Sequence, residues 1–300
     1  MPGDLRYIRK IKAEKEIRDF LNAANKVVYH APELEEIIER HRGVWNLAPT
    51  THVTKLLERF VRNDIFKIVE LDLSNGKKQM LYLFGNPSPF DIAAGIRSKS
   101  YLSHYSAVFL HGLTEQVPKT LYVTQEQSEK IPAKSTLTQE DIDRAFSQPQ
   151  RRSMLQTQYE DYNIVLLNGK YTNRQGVMDA SRLGRVTGHF NYTNLERTLI
   201  DIAVRPNYAG GAFAVLRAYQ AALSESFSGN RLNALLANLH FIYPYQQAIG
   251  FYLDKAGFSG PWLDKLRNHP MKFDFYLDYA ITEAEREYSP EWKIYYPKGI

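Results

Sequence analysis

The chain of 300 residues carries 38 Lys and Arg against 33 Asp and Glu, for a net charge of +5 and a pI near 9.1, and it contains no cysteine. That length is comfortable for two domains with real cores. The lack of thiols excludes disulfides, thiolate metal sites and cysteine nucleophiles. Neither a signal-peptide pattern nor an apolar run of membrane-spanning length is present, so a cytoplasmic location and no membrane partner are expected. The mild basic balance is compatible with a nucleic-acid partner without demanding one.

The first dozen residues carry Arg6, Arg9, Lys10 and Lys12 against Asp4, and suit either an arm lying on phosphates or a solubilising tail. Ala13 to Ala24 reads as a helix with Ile17, Phe20 and Leu21 inward. A second helix is expected over Pro32 to Arg42 with Leu34, Ile37 and Ile38 inward, started near Pro32 and ended by Gly43. Pro49-Thr50-Thr51 then offers a turn and a hydroxyl N-cap for a third.

That third helix has Val53, Leu56, Leu57 and Phe60 at the i, i+3, i+4, i+7 spacing of one buried face. His52, Lys55, Arg59 and Arg62 are left on the other side. Taken alone, such a stripe is equally well a solvated charged face. Two alternating apolar runs follow, Phe66 to Leu73 and Gln79 to Phe84, joined through Ser74-Asn75-Gly76-Lys77-Lys78. Asn-Gly between such runs is a strong hairpin signal. A basic helix followed by a lysine-tipped ribbon is the order of a winged helix-turn-helix. The helix fits a major groove and the hairpin reaches the adjacent phosphate backbone.

Gly85-Asn86-Pro87-Ser88-Pro89 breaks helix and strand alike, and places a domain boundary there, with residues 1–88 before it and 89–300 after. Beyond it come helices at about Phe90 to Arg97 and Tyr101 to His111, with Gly112 behind the second. A strand at Thr120 to Thr124, a helix within Thr136 to Phe146, and strands at Met154 to Tyr159 and Tyr162 to Asn168 follow. Thr193-Asn194-Leu195-Glu196 has the spacing of a capping box for a helix reaching Arg205. Helices after Gly210-Gly211 and over Arg231 to Leu239, Tyr245 to Ala256 and Trp262 to Arg267 precede a strand-like Met271 to Tyr279 and an aromatic tail. The fold class is therefore α/β of the α+β kind: an amino-terminal winged helix-turn-helix and a larger mixed α/β domain.

No catalytic constellation emerges. Glu196, Arg197 and Asp201 read as a cap and a local ion pair more readily than as a reactive cluster. Asp274 and Asp278 lie four apart on a strand-like run and suit either a magnesium ion or an acid and base pair, but no third ligand accompanies them. The histidines show no HxxxH or HExxH spacing, His104 and His111 read as packed residues, and Ser106 has no nucleophile-elbow context. No P-loop or GxGxxG fingerprint occurs, so no cofactor and no enzyme activity are expected.

Tyr105-Ser106-Ala107 through Leu110-His111-Gly112-Leu113-Thr114-Glu115-Gln116-Val117-Pro118-Lys119-Thr120-Leu121-Tyr122-Val123-Thr124 resembles the signature of AbiEi-type proteins, the antitoxin and regulator of AbiE (type IV) abortive-infection toxin–antitoxin systems. Leu195-Glu196-Arg197-Thr198-Leu199-Ile200-Asp201, with Arg205-Pro206 and Tyr208-Ala209-Gly210-Gly211, is similar to that family's second signature. The resemblance implies a two-domain regulator that binds inverted repeats in its own promoter as double-stranded DNA. It also implies that the carboxy-terminal domain counteracts a nucleotidyltransferase-like toxin. On this chain the implied DNA contacts are Thr51, His52, Lys55, Arg59 and Arg62 on the helix and Asn75, Lys77 and Lys78 at the wing, with an oligomer on the DNA. Two other readings stay open: a nuclease or nucleotidyl-transferring enzyme using Asp201, Asp274 and Asp278, and a repressor that answers to a small effector.

Overall fold

The computed structural model describes residues 3–130, 136–180, 186 and 188–300, with side chains from Ala13 onward. Helix α1 spans Gly3–Ala23 and so begins at Gly3, not Ala13, because Leu5, Arg6, Arg9, Lys10 and Lys12 in the basic lead-in are good helix formers and no further Gly or Pro interrupts them. The side chains of Arg6, Arg9, Lys10 and Lys12 lie outside the described residues. Ile17 and Leu21 are buried and Phe20 partly so, as the spacing requires.

A short strand β1 (Val28–Tyr29) precedes α2 (Ala31–His41) and α3 (Val53–Arg62). Leu34 and Ile38 of α2 meet Leu56, Leu57 and Phe60 of α3 around Trp45 in one apolar core. The hairpin follows as β2 (Phe66–Asp72) and β3 (Lys78–Phe84), and β1 adds to its edge in the order β1-β3-β2. At the tip Gly76 takes a φ of +78° while its N–H donates to Leu73, the left-handed position for which glycine is suited. This is a winged helix-turn-helix.

Strand alternation then decides how the winged helix meets the rest. Phe66, Tyr82 and Phe84 turn toward the helices, whereas Leu71, Leu81 and Leu83 turn the other way and share a second core with Phe90, Ile92, Leu121 and Phe190. The chain crosses at Gly85–Ser88, yet one apolar core runs through the crossing.

The larger region begins with α4 (Pro89–Gly95), whose Ser88 and Asp91 form a capping box. The expected second helix divides into β4 (Tyr101–Leu102) and α5 (His104–Leu110), because Ser103 is extended and His104 sits at φ +52°. Then come β5 (Thr120–Glu126), α6 (Gln139–Phe146), β6 (Gln156–Tyr159), β7 (Tyr162–Gly169), β8 (Val177–Asp179) and β9 (Asn191–Thr193). These strands make one mixed sheet in the order β6-β7-β5-β4-β9-β8, with β5 parallel to β7 and β4 parallel to β9.

Helices α7 (Leu195–Val204), α8 (Ala212–Ala221), α9 (Gly229–Asn238), α10 (Tyr245–Ala256) and α11 (Pro261–Arg267) build the largest core. A small sheet of β10 (Phe275–Tyr276), β11 (Arg286–Ser289) and β12 (Ile294–Pro297) closes it, with Trp292 buried against α10. The expected strand over Met271 to Tyr279 contracts to β10. Among the described residues no helix is long and apolar enough to cross a membrane.

Candidate nucleic-acid interface and a buried polar network

The turn between α2 and α3 is held by an arginine, not by the expected hydroxyl cap. The N-cap of α3 is His52, with no side-chain cap bond, and Thr51 instead presents its carbonyl to Arg42. The Arg42 guanidinium donates to the carbonyls of Ala48 at 2.8 Å and Thr51 at 3.2 Å, and pairs with Glu39. Its two carbonyl contacts fix where α3 starts.

The other end of α3 is tied to α1. Arg18 donates to the Asn63 carbonyl at 3.0 Å, the Asn63 amide donates to Glu14 at 2.9 Å, and Glu14 also pairs with Arg59. Arg59 therefore leans toward α1 with its side chain 30% exposed, partly withdrawn from the outer face where the stripe had placed it.

His52, Lys55 and Arg62 do stand exposed, and among the described residues none of them forms a salt bridge. Thr54 and Glu58 share that face; the sequence reading passed over both, although Thr54, Glu58 and Arg62 follow the four-residue spacing of one helical row. A groove of about 450 Å³ runs between this row and the wing sheet, lined by Thr54, Glu58, Val61, Arg62, Ile68 and Tyr82.

At the wing, Asn75, Lys77 and Lys78 are all exposed. Asn75 spends its side-chain oxygen on the Lys77 N–H at 3.2 Å. Lys78 is engaged within the hairpin: a hydrogen bond from its ammonium to Glu70, helped by the charges of Glu70 and Asp72, holds its pKa above the usual lysine value. The wing tip itself docks on β6. The Ser74 hydroxyl donates to the Met154 carbonyl at 2.6 Å and accepts from the Gln156 N–H at 3.0 Å, while Thr157 donates to the Asp72 carbonyl at 2.9 Å.

The residues weighed for catalysis are placed differently. Asn194, not Thr193, caps α7, and Glu196 takes no part in the cap. Glu196 is instead fully buried, accepting from the Ser228 N–H at 2.9 Å and facing Arg231 at 3.4 Å. Arg197 pairs with Asp201 at 2.8 Å and donates to the Gln175 carbonyl at 2.6 Å and the Thr172 hydroxyl at 3.2 Å. Burial alone would lower the Arg197 pKa, but the Asp201 carboxylate together with Tyr101 and Glu126 outweighs it and the net shift is upward. This pair clamps the loop before β8, where Gly176 at φ +74° has no room for a side chain: a Cβ would lie 2.6 Å from that of Arg197.

Asp274 accepts from the Tyr288 hydroxyl at 2.7 Å, and Asp278 accepts from the Tyr279 N–H while burial raises its pKa. Among the described residues no three His, Cys, Asp or Glu side chains are grouped to hold a metal ion. His104 and His111 are packed: burial pushes His104 down to about 4, and His111 donates to the Thr193 carbonyl at 2.8 Å.

No family model and no curated protein matches the chain. Solved structures do, with 3 chains matching in all. The RV2827C protein from Mycobacterium tuberculosis superposes with a TM-score of 0.51 at 14% identity, over 95% of this chain and 91% of that one. The shared property is the fold. At that coverage the winged helix and the α/β region are matched together, so their arrangement belongs to a known architecture.

Proposed function

We propose that the protein is a DNA-binding repressor of its own promoter that also acts as the antitoxin to a nucleotidyltransferase-like toxin. The observation that carries the DNA half is the outer face of α3, where His52, Lys55 and Arg62 stand in solvent beside the β2–β3 wing with no salt bridge among the described residues. A helix of this width enters the major groove, where Arg62 can bond guanine and Glu58 can accept from the cytosine amino group. Lys77 at the wing supplies a phosphate contact, which gives affinity without sequence preference. Two copies related by a two-fold axis match inverted repeats. The activity needs neither a cofactor nor turnover.

The antitoxin half is supported by the two runs that resemble AbiEi-type proteins, which occupy α5 to β5 and α7 to the start of α8. Footprinting on the DNA upstream of the protein's own coding sequence tests the first half: protection of inverted repeats is expected, and equal binding to any duplex contradicts it. Co-expression with a neighbouring nucleotidyltransferase-like gene tests the second. Restored growth is expected, and unrelieved toxicity contradicts it.

A further inference from the structure

A cleft of about 680 Å³ opens between β5, the turn Pro206–Tyr208 and the start of α8. Its walls include the rings of Tyr105, Tyr122 and Tyr208, and those of Tyr122 and Tyr208 lie 5.2 Å apart at 47°. Lys119 and Arg217 also line it, both are exposed, and neither forms a salt bridge or side-chain hydrogen bond among the described residues. Elsewhere Arg144, Arg231 and Arg267 each face a carboxylate. Asn207, half-buried in the same wall, likewise has no side-chain hydrogen bond among the described residues. A third cation stands close by: burial raises the Tyr122 pKa, and the charge of Arg152 opposes that rise.

These features narrow the occupant. The volume lies within the roughly 300–1,000 Å³ of small-molecule sites. The half-buried Tyr105 and Tyr122 can accept a flat ring, with Tyr208 buried behind them against Tyr122 and His104 and its hydroxyl accepting from the Ser153 N–H. Unpaired Lys and Arg call for an anion, phosphate above all. A free amide such as that of Asn207 offers both a donor and an acceptor to a heterocycle edge. An inorganic anion would leave the tyrosine faces empty, and a neutral aromatic would leave two cations unmatched.

We propose that this cleft binds a mononucleotide, its base against Tyr105 and Tyr122 and its phosphate at Lys119 and Arg217. The site is separate from α3 and the wing, so it stands or falls independently of DNA binding.

The test is calorimetric titration and thermal denaturation of the full chain with AMP, GMP, CMP and UMP, with adenosine, guanosine and inorganic phosphate as component arms. At least one nucleotide should bind saturably and raise Tm, with its nucleoside and phosphate alone at least tenfold weaker. The Lys119→Glu, Arg217→Glu variant should lose at least tenfold in affinity with an unchanged ligand-free Tm, and Arg62→Glu should lose none. If charge reversal lowers the ligand-free Tm, Asn207→Ala replaces it and should also weaken binding. Absence of binding by all four nucleotides at millimolar concentration, phosphate binding as tightly as a nucleotide, or affinity that survives the substitutions would each overturn the proposal.

Discussion

The Ser74 hydroxyl at the tip of the wing donates to the main-chain carbonyl of Met154, 80 residues further along the chain, at 2.6 Å. With the Ser74 N–H bonded to the Gln156 carbonyl at 2.9 Å, the hairpin is pinned to the edge strand of the larger sheet and presents its lysines from a fixed base. Ser74→Ala keeps the backbone bond and removes both hydroxyl bonds, a loss of about 1 kcal/mol for such partly solvated contacts. Urea denaturation should show that loss, and hydrogen exchange should show faster opening of the Asp72–Lys78 segment. Unchanged exchange there would mean the docking does not restrain the wing.

Arg59 and Arg62 should part company. Arg62 is exposed and forms no salt bridge among the described residues, so Arg62→Ala is expected to weaken operator binding by about 1–3 kcal/mol with stability intact. Arg59 is bonded to Glu14 of α1, so Arg59→Ala should lower stability and cost less in DNA affinity. Equilibrium unfolding and anisotropy titrations on both variants separate the two roles.

The Arg197–Asp201 pair is nearly closed to solvent, with side-chain exposures of 7% and 10%. Removing one partner leaves an uncompensated buried charge, so Asp201→Ala should destabilise by about 3–5 kcal/mol. Exchanging both for apolar residues of similar volume, Arg197→Met with Asp201→Leu, should recover much of it. Chemical denaturation of the three proteins measures the difference.

Burial holds His104 at a pKa of about 4, below the ordinary 6.5, with Asp201 raising it and Arg205 and Arg197 lowering it in turn. A depressed folded value means that the unfolded chain takes up the proton first. The contribution is complete above pH 6.5 and is lost as pH falls toward 4, by up to roughly 3 kcal/mol. His104→Gln should flatten the stability profile across that window, and a slope identical to that of the unaltered protein would contradict the assignment.

The winged helix was legible because its signals are local: the spacing of Leu56, Leu57 and Phe60, and Asn-Gly between two alternating runs. What escaped the sequence depends on partners remote along the chain. Strand β1 is two residues long and exists only by pairing with β3. Glu196 has the spacing of a capping residue, yet its carboxylate meets Ser228, 32 positions away. Arg59 sits on the polar side of a helical wheel, and only the packing of α1 shows that Glu14 holds it. Arg42 gave no signal at all, because its task is to bond two main-chain carbonyls, six and nine residues further along the same connection, which no side-chain pattern marks.

The central claim is that the outer face of α3 reads duplex DNA. The most direct measurement is anisotropy titration of upstream promoter and random duplexes, over a range of salt, with the unaltered protein and the Lys55→Ala, Arg62→Ala variant. The expected result is a variant that keeps its stability, loses its preference for promoter DNA, and shows a shallower dependence of affinity on salt. A variant that still prefers the promoter, with affinity and salt slope unchanged, would contradict it.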